Sequence, residues 1–311
     1  MSLEPGAARR WLRTLTLSAG VVLVPVTWVG ADGTVAVLAH GAAGPYAQTI
    51  EGLQAELAGR GVTDVRTVDF DPAAPRQSPA SAEGAAVWVT IGSEATDAAL
   101  RLDPRVPVIG CPVLSTAALG GSKLATAVTL EFPIAVQVEW LKRFLPDRKN
   151  VGVMYEPGQN QRNVDALAAA TKRAGMILVA QPVHAPNEIP GALEALEQQS
   201  DVILGIPDSL ALSRETAKTL LLFSFQNRIP FVGVSEAWAK AGALYALERD
   251  YVDLGRQCGE LAHAVLAGKA PSALPPVAPR RVRYVVNLRT MEHMNLKLDR
   301  ELLAGADRTF E

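Results

Sequence analysis

The chain has 311 residues, of which 30 are basic and 32 acidic, giving a formal net charge of −2; 49% of the residues are hydrophobic and 5% aromatic. That length suits two lobes better than one domain, and the apolar fraction excludes intrinsic disorder. The balanced charge excludes an obvious polyanionic partner, so nucleic-acid binding is not expected.

The chain begins with Arg9, Arg10 and Arg13, then a mostly apolar run from Leu15 to Val29, then Gly30-Ala31. A basic region, an apolar region and a small-residue exit make a secretory signal peptide, with cleavage expected near Ala31 and a periplasmic mature chain. Thr16, Ser18 and Pro25 interrupt the run, which is shorter than the roughly 20 apolar residues of a membrane span.

After residue 33 strands and helices alternate. Residues 34–39 and 65–70 read as strands on either side of a helix over 46–60, where Ile50, Leu53 and Leu57 share one face. Residues 71–84, rich in Pro, Ala and Ser, read as a loop. A strand at 85–91, a helix at 94–102 and strands at 106–110 and 124–130 follow. A helix opening at Pro133 and closed by Pro146 carries Ile134, Val138, Leu141 and Leu145 on one face. The second half repeats the theme. Strands at 150–155, 176–180, 202–206 and 230–234 alternate with helices at 160–174, 188–199 and 209–226. A helix over 254–266 and a strand over 281–287 end the pattern.

This is an α/β pattern of right-handed β-α-β units with helices on both faces of parallel sheets. The expected architecture is two doubly wound lobes joined by a hinge. Residues 32–147, completed by about 252–280, form lobe 1. Residues 148–251, completed by about 281–311, form lobe 2.

Ligands of parallel sheets meet the loops after the strands, where helix N-termini point. Those loops hold His40-Gly41, Gly92-Ser93-Glu94, Cys111-Pro112, Tyr155-Glu156, Pro207-Asp208-Ser209 and Ser235-Glu236. Singly, each polar residue is also a good helix cap. Two lobes facing across a cleft would gather both sets around one small molecule. Gly233-Val234-Ser235-Glu236-Ala237 is one residue from a G-x-S-x-G nucleophile elbow, so Ser235 is also a candidate hydrolase nucleophile, with His263 or His293 as base and Asp250 or Asp253 as orienter. Ala237 in place of the final glycine weighs against it. No Walker A, dinucleotide fingerprint or metal-ligand spacing is present, so no cofactor and no metal are expected. Arg280, Arg281 and Arg283 read as a solvated strand end. Cys111 and Cys258 are the two cysteines. An oxidising compartment permits a bond between them, but spacing does not establish one. Two separate buried thiols is the preferred reading.

Several stretches resemble a known family: 151–157 (VGVMYEP), 229–233 (IPFVG), Ala241-Gly-Ala-Leu244 with Asp250-Tyr251 and Leu254-Gly-Arg-Gln257, and 286–290 (VNLRT). Together they look like the tryptophan/phenylalanine-binding group of ABC transporter substrate-binding proteins, over about residues 130–310. The resemblance implies a type I periplasmic binding fold, a membrane permease as partner, an amino acid or related carboxylate as small-molecule ligand, and no enzymatic activity; a monomer is expected. By position, Pro207-Asp208-Ser209 and Ser235-Glu236 match ligand loops of the family. The family's Ala-Val-Thr-Asp-Pro loop stands here as Cys111-Pro112-Val113-Leu114, without its polar residues. On this reading Asp208 or Glu236 holds a ligand ammonium. Ser93, Ser209 and helix-start amides hold a carboxylate, and Tyr46, Tyr155 or Trp238 stacks on an apolar part. Glu94 and Cys111 complete the candidate wall. A periplasmic ligand-sensing module remains an alternative to transport.

Overall fold

The computed structural model describes residues 33–74, 82–102 and 104–311. The expected signal segment and the middle of the 71–84 loop lie outside the described residues.

The first sheet contains β1 (Val35–Ala39), β2 (Val65–Asp69), β3 (Val87–Ile91), β4 (Val108–Val113) and β5 (Ala125–Thr129), ordered β2-β1-β3-β4-β5 and parallel throughout. Every residue of β1, β3 and β4 is buried, as expected for strands covered on both faces. One face packs on α1 (Pro45–Gly59) and α8 (Tyr251–Leu266), through Leu53, Leu57, Leu254 and Leu261. The other packs on α2 (Ser93–Arg101), through Ala95, Ala98 and Ala99. Strand β4 runs three residues past the expected end at Gly110. A register shift between Gly110 and Val113 makes room for Pro112, which has no N–H for the ladder.

The second sheet contains β6 (Asn150–Tyr155), β7 (Ile177–Pro182), β8 (Val202–Leu204), β9 (Phe231–Gly233), β10 (Tyr245–Arg249), β11 (Val282–Asn287) and β12 (Arg308–Phe310). Its order is β12-β11-β10-β9-β8-β6-β7, and the β10–β11 pair is antiparallel. One face carries α3 (Ile134–Phe144), α4 (Pro157–Arg173) and α10 (Arg300–Ala304), and the other α5 (Ile189–Glu197) and α6 (Arg214–Asn227). Two short helices, α7 (Glu236–Ala241) and α9 (Leu288–His293), follow β9 and β11.

Three expectations are corrected here. Helix α3 packs in the second lobe, where Val138, Leu141 and Phe144 share a core with Val151, Val153 and Tyr245; the sequence boundary near residue 148 had placed it in the first. Helix α6 begins at Arg214 rather than Ser209, because Ser213 caps it by accepting the Thr216 amide at 3.3 Å. The cysteines form a disulfide, Cys111–Cys258. Both are wholly buried, and they meet because α8 lies against β4. Bridging residues 147 positions apart stabilises a fold by roughly 2–5 kcal/mol, chiefly by restricting the unfolded chain.

The path between lobes places the site. The chain leaves β5 at Thr129 and enters α3 in the second lobe. It returns from Arg249 at the end of β10 into α8, and passes back through residues 278–281 into β11. The third passage first runs along the first sheet: Val277 accepts the Thr129 amide at 2.8 Å and donates to Ala127 at 2.9 Å. Thus both β5 and β10 meet the lobe boundary at their carboxyl ends. Strands of a parallel sheet share one direction, so the carboxyl ends of β1–β5 and of β6–β10 all open on that boundary.

Helix α8 returns to the first lobe by an unusually close approach to α1. A Cβ at Gly255 would lie 2.0 Å from the Thr49 carbonyl oxygen, one at Gly52 1.9 Å from that of Val252, and one at Gly259 2.8 Å from Glu56 Cβ. Gly255→Ala should therefore force the helices apart and cost about 2–3 kcal/mol. Thermal unfolding will show the loss as a lowered Tm in the oxidised protein; an unchanged Tm would refute the packing argument.

Candidate functional site

In the first lobe the predicted loops do converge. Gly92 turns between β3 and α2 with φ 93°, and the hydroxyl of Tyr46 would lie 2.9 Å from a Cβ there. Only glycine suits both that backbone and that neighbour. Ser93 accepts the Leu114 amide at 2.8 Å through Oγ, which joins the two loops. Glu94 is exposed in the first turn of α2. Leu114 is 64% exposed, so this lip presents an apolar side chain where the resemblance led us to look for polar ones. Cys111, a candidate wall residue, is buried at 0% exposure and bonded to Cys258. It contributes nothing to a ligand surface.

In the second lobe the carboxylates are already taken. Asp208 is buried, and its Oδ2 accepts the Glu156 amide at 2.8 Å and Asn160 Nδ2 at 2.9 Å. Its Oδ1 accepts the amides of Leu210 at 2.9 Å and Ala211 at 2.8 Å. Four donors saturate the group, so Asp208 ties the β6 and β8 loops together instead of holding an ammonium. Ser209 is exposed and gives its hydroxyl to Gln159 Oε1 at 2.9 Å. Tyr155 is buried and donates to Gln161 Oε1 at 3.1 Å; it is a core residue rather than a stacking face. Trp238 packs edge-on against Phe231.

Glu236 is paired at the surface, where its partly exposed carboxylate accepts from the exposed Arg308 of β12, and its amide donates to Glu248. Burial holds the Glu248 carboxyl above the ordinary range, against the opposing pull of the Glu236 amide and Arg249. Ser235 precedes α7, and its side chain makes no cap hydrogen bond. No described imidazole is bonded to it: His293 Nε2 pairs with the Phe225 carbonyl at 2.9 Å, and His40 with Asp69 at 3.2 Å. Asp250 caps α8 through the Asp253 amide, and Asp253 pairs with Arg280. The elbow residues are therefore scattered over structural roles, and no hydrolytic triad forms among the described residues.

The basic cluster has a structural use too. Arg280 forks onto the buried Asp253 at 2.9 and 3.0 Å and reaches Glu260 at 2.8 Å. Arg283 pairs with Asp307 at 2.7 Å. The first fastens the third passage to α8.

What the sequence did not reveal is a cavity of about 290 Å³ beside the hinge. Its wall combines the first passage (Glu131, Phe132), the start of α3 (Ile134, Gln137), Asn163 of α4 and the carboxyl ends of β8, β9 and β10 (Ile206, Val234, Arg249). Arg249 donates through Nε to the Leu130 carbonyl at 2.9 Å and lies over the Phe132 ring at 5.1 Å. Tyr245 also lines it, and burial holds its phenol far above the ordinary value, so it stays neutral. The apolar run before Glu248 was the available sign of β10, the strand that brings Arg249 here.

Two hinged α/β lobes with strand ends around a shared gap define a type I periplasmic binding protein-like fold. Residues 35–310 match the ABC transporter substrate binding protein family, and the chain belongs to it. A tyrosine-binding protein of Clostridioides difficile (strain R20291) is 26% identical over 162 residues, spanning 51% of this chain and 46% of that protein. Two solved structures share the fold, each covering 89% of this chain and 99% of the other. An ABC domain from Streptococcus pneumonia in complex with L-Trp is 21% identical with a TM-score of 0.59. The ligand-free, open structure of a substrate-binding protein with adhesive properties from Clostridium difficile is 18% identical with a TM-score of 0.72.

Removing the Asp208 carboxylate strands four donors, so Asp208→Ala should lower stability by roughly 3 kcal/mol or more. Equilibrium urea unfolding reads this directly, and an unaltered midpoint would restore Asp208 as a free ligand group. Glu248 gives a pH signature. A carboxyl raised in the fold costs stability when ionised, and that cost disappears as the pH falls through its titration. Glu248→Gln should therefore raise Tm at neutral pH, with the gain narrowing towards about pH 4. Parallel melts across that range test it; a gain that grows on acidification would reverse the assignment.

Proposed function

We propose that this chain is the solute receptor of an ABC uptake system, binding a small molecule with a large apolar or aromatic part and an amino-acid or related carboxylate head. The observation that carries the reading is the cleft itself: two sets of strand carboxyl ends open on one boundary, beside a largely apolar cavity at the hinge. Family membership supports the substrate-binding role, and a tyrosine-binding relative and a tryptophan-bound structure of the same fold support the choice of solute. Solute held between the lobes favours the closed form because that form offers it more contacts. Tyr46, Ser93 and Glu94 from the first lobe and Ser209 and Ser235 from the second are the groups we assign to the closing surfaces. The solute leaves unchanged, so no catalysis is involved. The receptor works as a monomer in the periplasm, exported by the N-terminal segment cleaved near Ala31, and delivers to a membrane permease. The buried disulfide accords with an oxidising compartment. No described helix is long and apolar enough to cross a membrane.

A thermal-shift screen of the twenty amino acids, with native mass spectrometry of the purified protein, tests this. Tyrosine, tryptophan or phenylalanine should stabilise the protein, by about 2.7 kcal/mol at a hundredfold excess over Kd. Stabilisation by none of the three would refute the assigned solute.

A further inference from the structure

Arg249 and Glu131 are the two charged side chains on the hinge cavity wall, and Glu131 is exposed. Arg249 is half-buried and held in place. Its Nε is fixed on the Leu130 carbonyl and its Cζ lies 5.1 Å from the centre of the Phe132 ring. Its two terminal amino groups have no hydrogen-bond or ion-pair partner among the described residues. Held by Nε alone and half-buried at the cavity wall, the guanidinium has its two amino groups available to an anion entering the cavity. A planar guanidinium fits a carboxylate in two parallel bonds. The surrounding wall, with Leu204, Ile206, Val234 and Leu247, suits an apolar body, and the volume suits a compact one.

We propose that Arg249 takes the carboxylate of the bound solute, with the solute's aromatic or large aliphatic body in the hinge cavity. This rests on the receptor reading above. Recognition of the carboxylate then comes from the hinge, where Arg249 is the one basic side chain on the cavity wall. It also ties binding to closure. The side chain that meets the solute already grips Leu130 of the first passage from Arg249 of the second. Anchoring the carboxylate fixes both passages at once.

The test uses isothermal titration calorimetry on the purified protein with three probes: L-tyrosine, 3-(4-hydroxyphenyl)propionate, which lacks the ammonium, and tyramine, which lacks the carboxylate. The protein should bind both acids and bind tyramine at least tenfold more weakly. Arg249→Gln should weaken both acids at least tenfold and leave tyramine unchanged. Arg249→Lys, which keeps the charge and loses the fork, should fall between, and decides the matter if the glutamine variant does not fold. Val234→Trp should abolish binding by filling the cavity, with Arg249 intact. Acids bound equally well without Arg249, or tyramine bound as tightly as tyrosine, would overturn the proposal while leaving the receptor standing. If the three probes fail but a sugar or another solute raises Tm, the proposal falls and the receptor survives; if no solute does, both fall.

Discussion

Helix α8 rests on α1 at a separation that only glycine permits, and the arrangement of the whole molecule follows from that contact. Gly52 and Gly255 bring backbone against backbone across the two helices, and Gly259 seats the Glu56 side chain; the Cys111–Cys258 bond fixes α8 to the sheet below. The first lobe is thus completed by a segment that arrives only after the second sheet has been nearly built. A chain that must return to finish its first lobe must also pass the boundary again to finish its second. Several strands then join the lobes, side by side, at the carboxyl ends of both sheets. A joint of that kind permits rotation of one lobe on the other while holding the strand ends in register.

Electrostatics divides the cleft into groups already satisfied and groups still available. Asp208 collects four donors from two loops. Glu236 is bound to the terminal strand through Arg308. Asp253, almost wholly buried, is neutralised by the fork of Arg280. The exposed Glu236–Arg308 pair contributes little, whereas the contacts of Asp208 and Asp253 are costly to break, because each would leave a buried charge or donor uncompensated. They hold the loops rigid, and a rigid rim loses little freedom when a solute enters. The serines at the lips, exposed Ser209 and partly exposed Ser235, lie on these loops.

The lip of the first lobe carries Leu114 in the bend that follows β4, a strand whose register shifts at Pro112, and its amide is held by Ser93. An exposed leucine there and an apolar wall at the hinge both favour a solute with a substantial hydrocarbon portion.

Local sequence determined the alternation of strand and helix, because short apolar runs and helical stripes such as Ile50, Leu53 and Leu57 declare their own period. It also determined the division into two parallel-sheet lobes, since each strand-helix-strand unit feeds its neighbour in one sheet. Strand β10 is absent from the sequence pattern although its apolar run, Ala243 to Leu247, marks it, and the three-residue β12 is too short to show a period of its own. The lobe to which α3 belongs was misread, since its apolar stripe says that it packs but not against which sheet. Only the tertiary structure decided which polar residues are free. Asp208 and a ligand-binding aspartate have the same sequence; they differ in whether Glu156, Asn160, Leu210 and Ala211 reach the carboxylate first. The pairing of Cys111 with Cys258, and the meeting of Arg249 with Leu130 and Phe132, likewise join residues more than a hundred positions apart. Distances across such separations are set by packing, which no local pattern encodes.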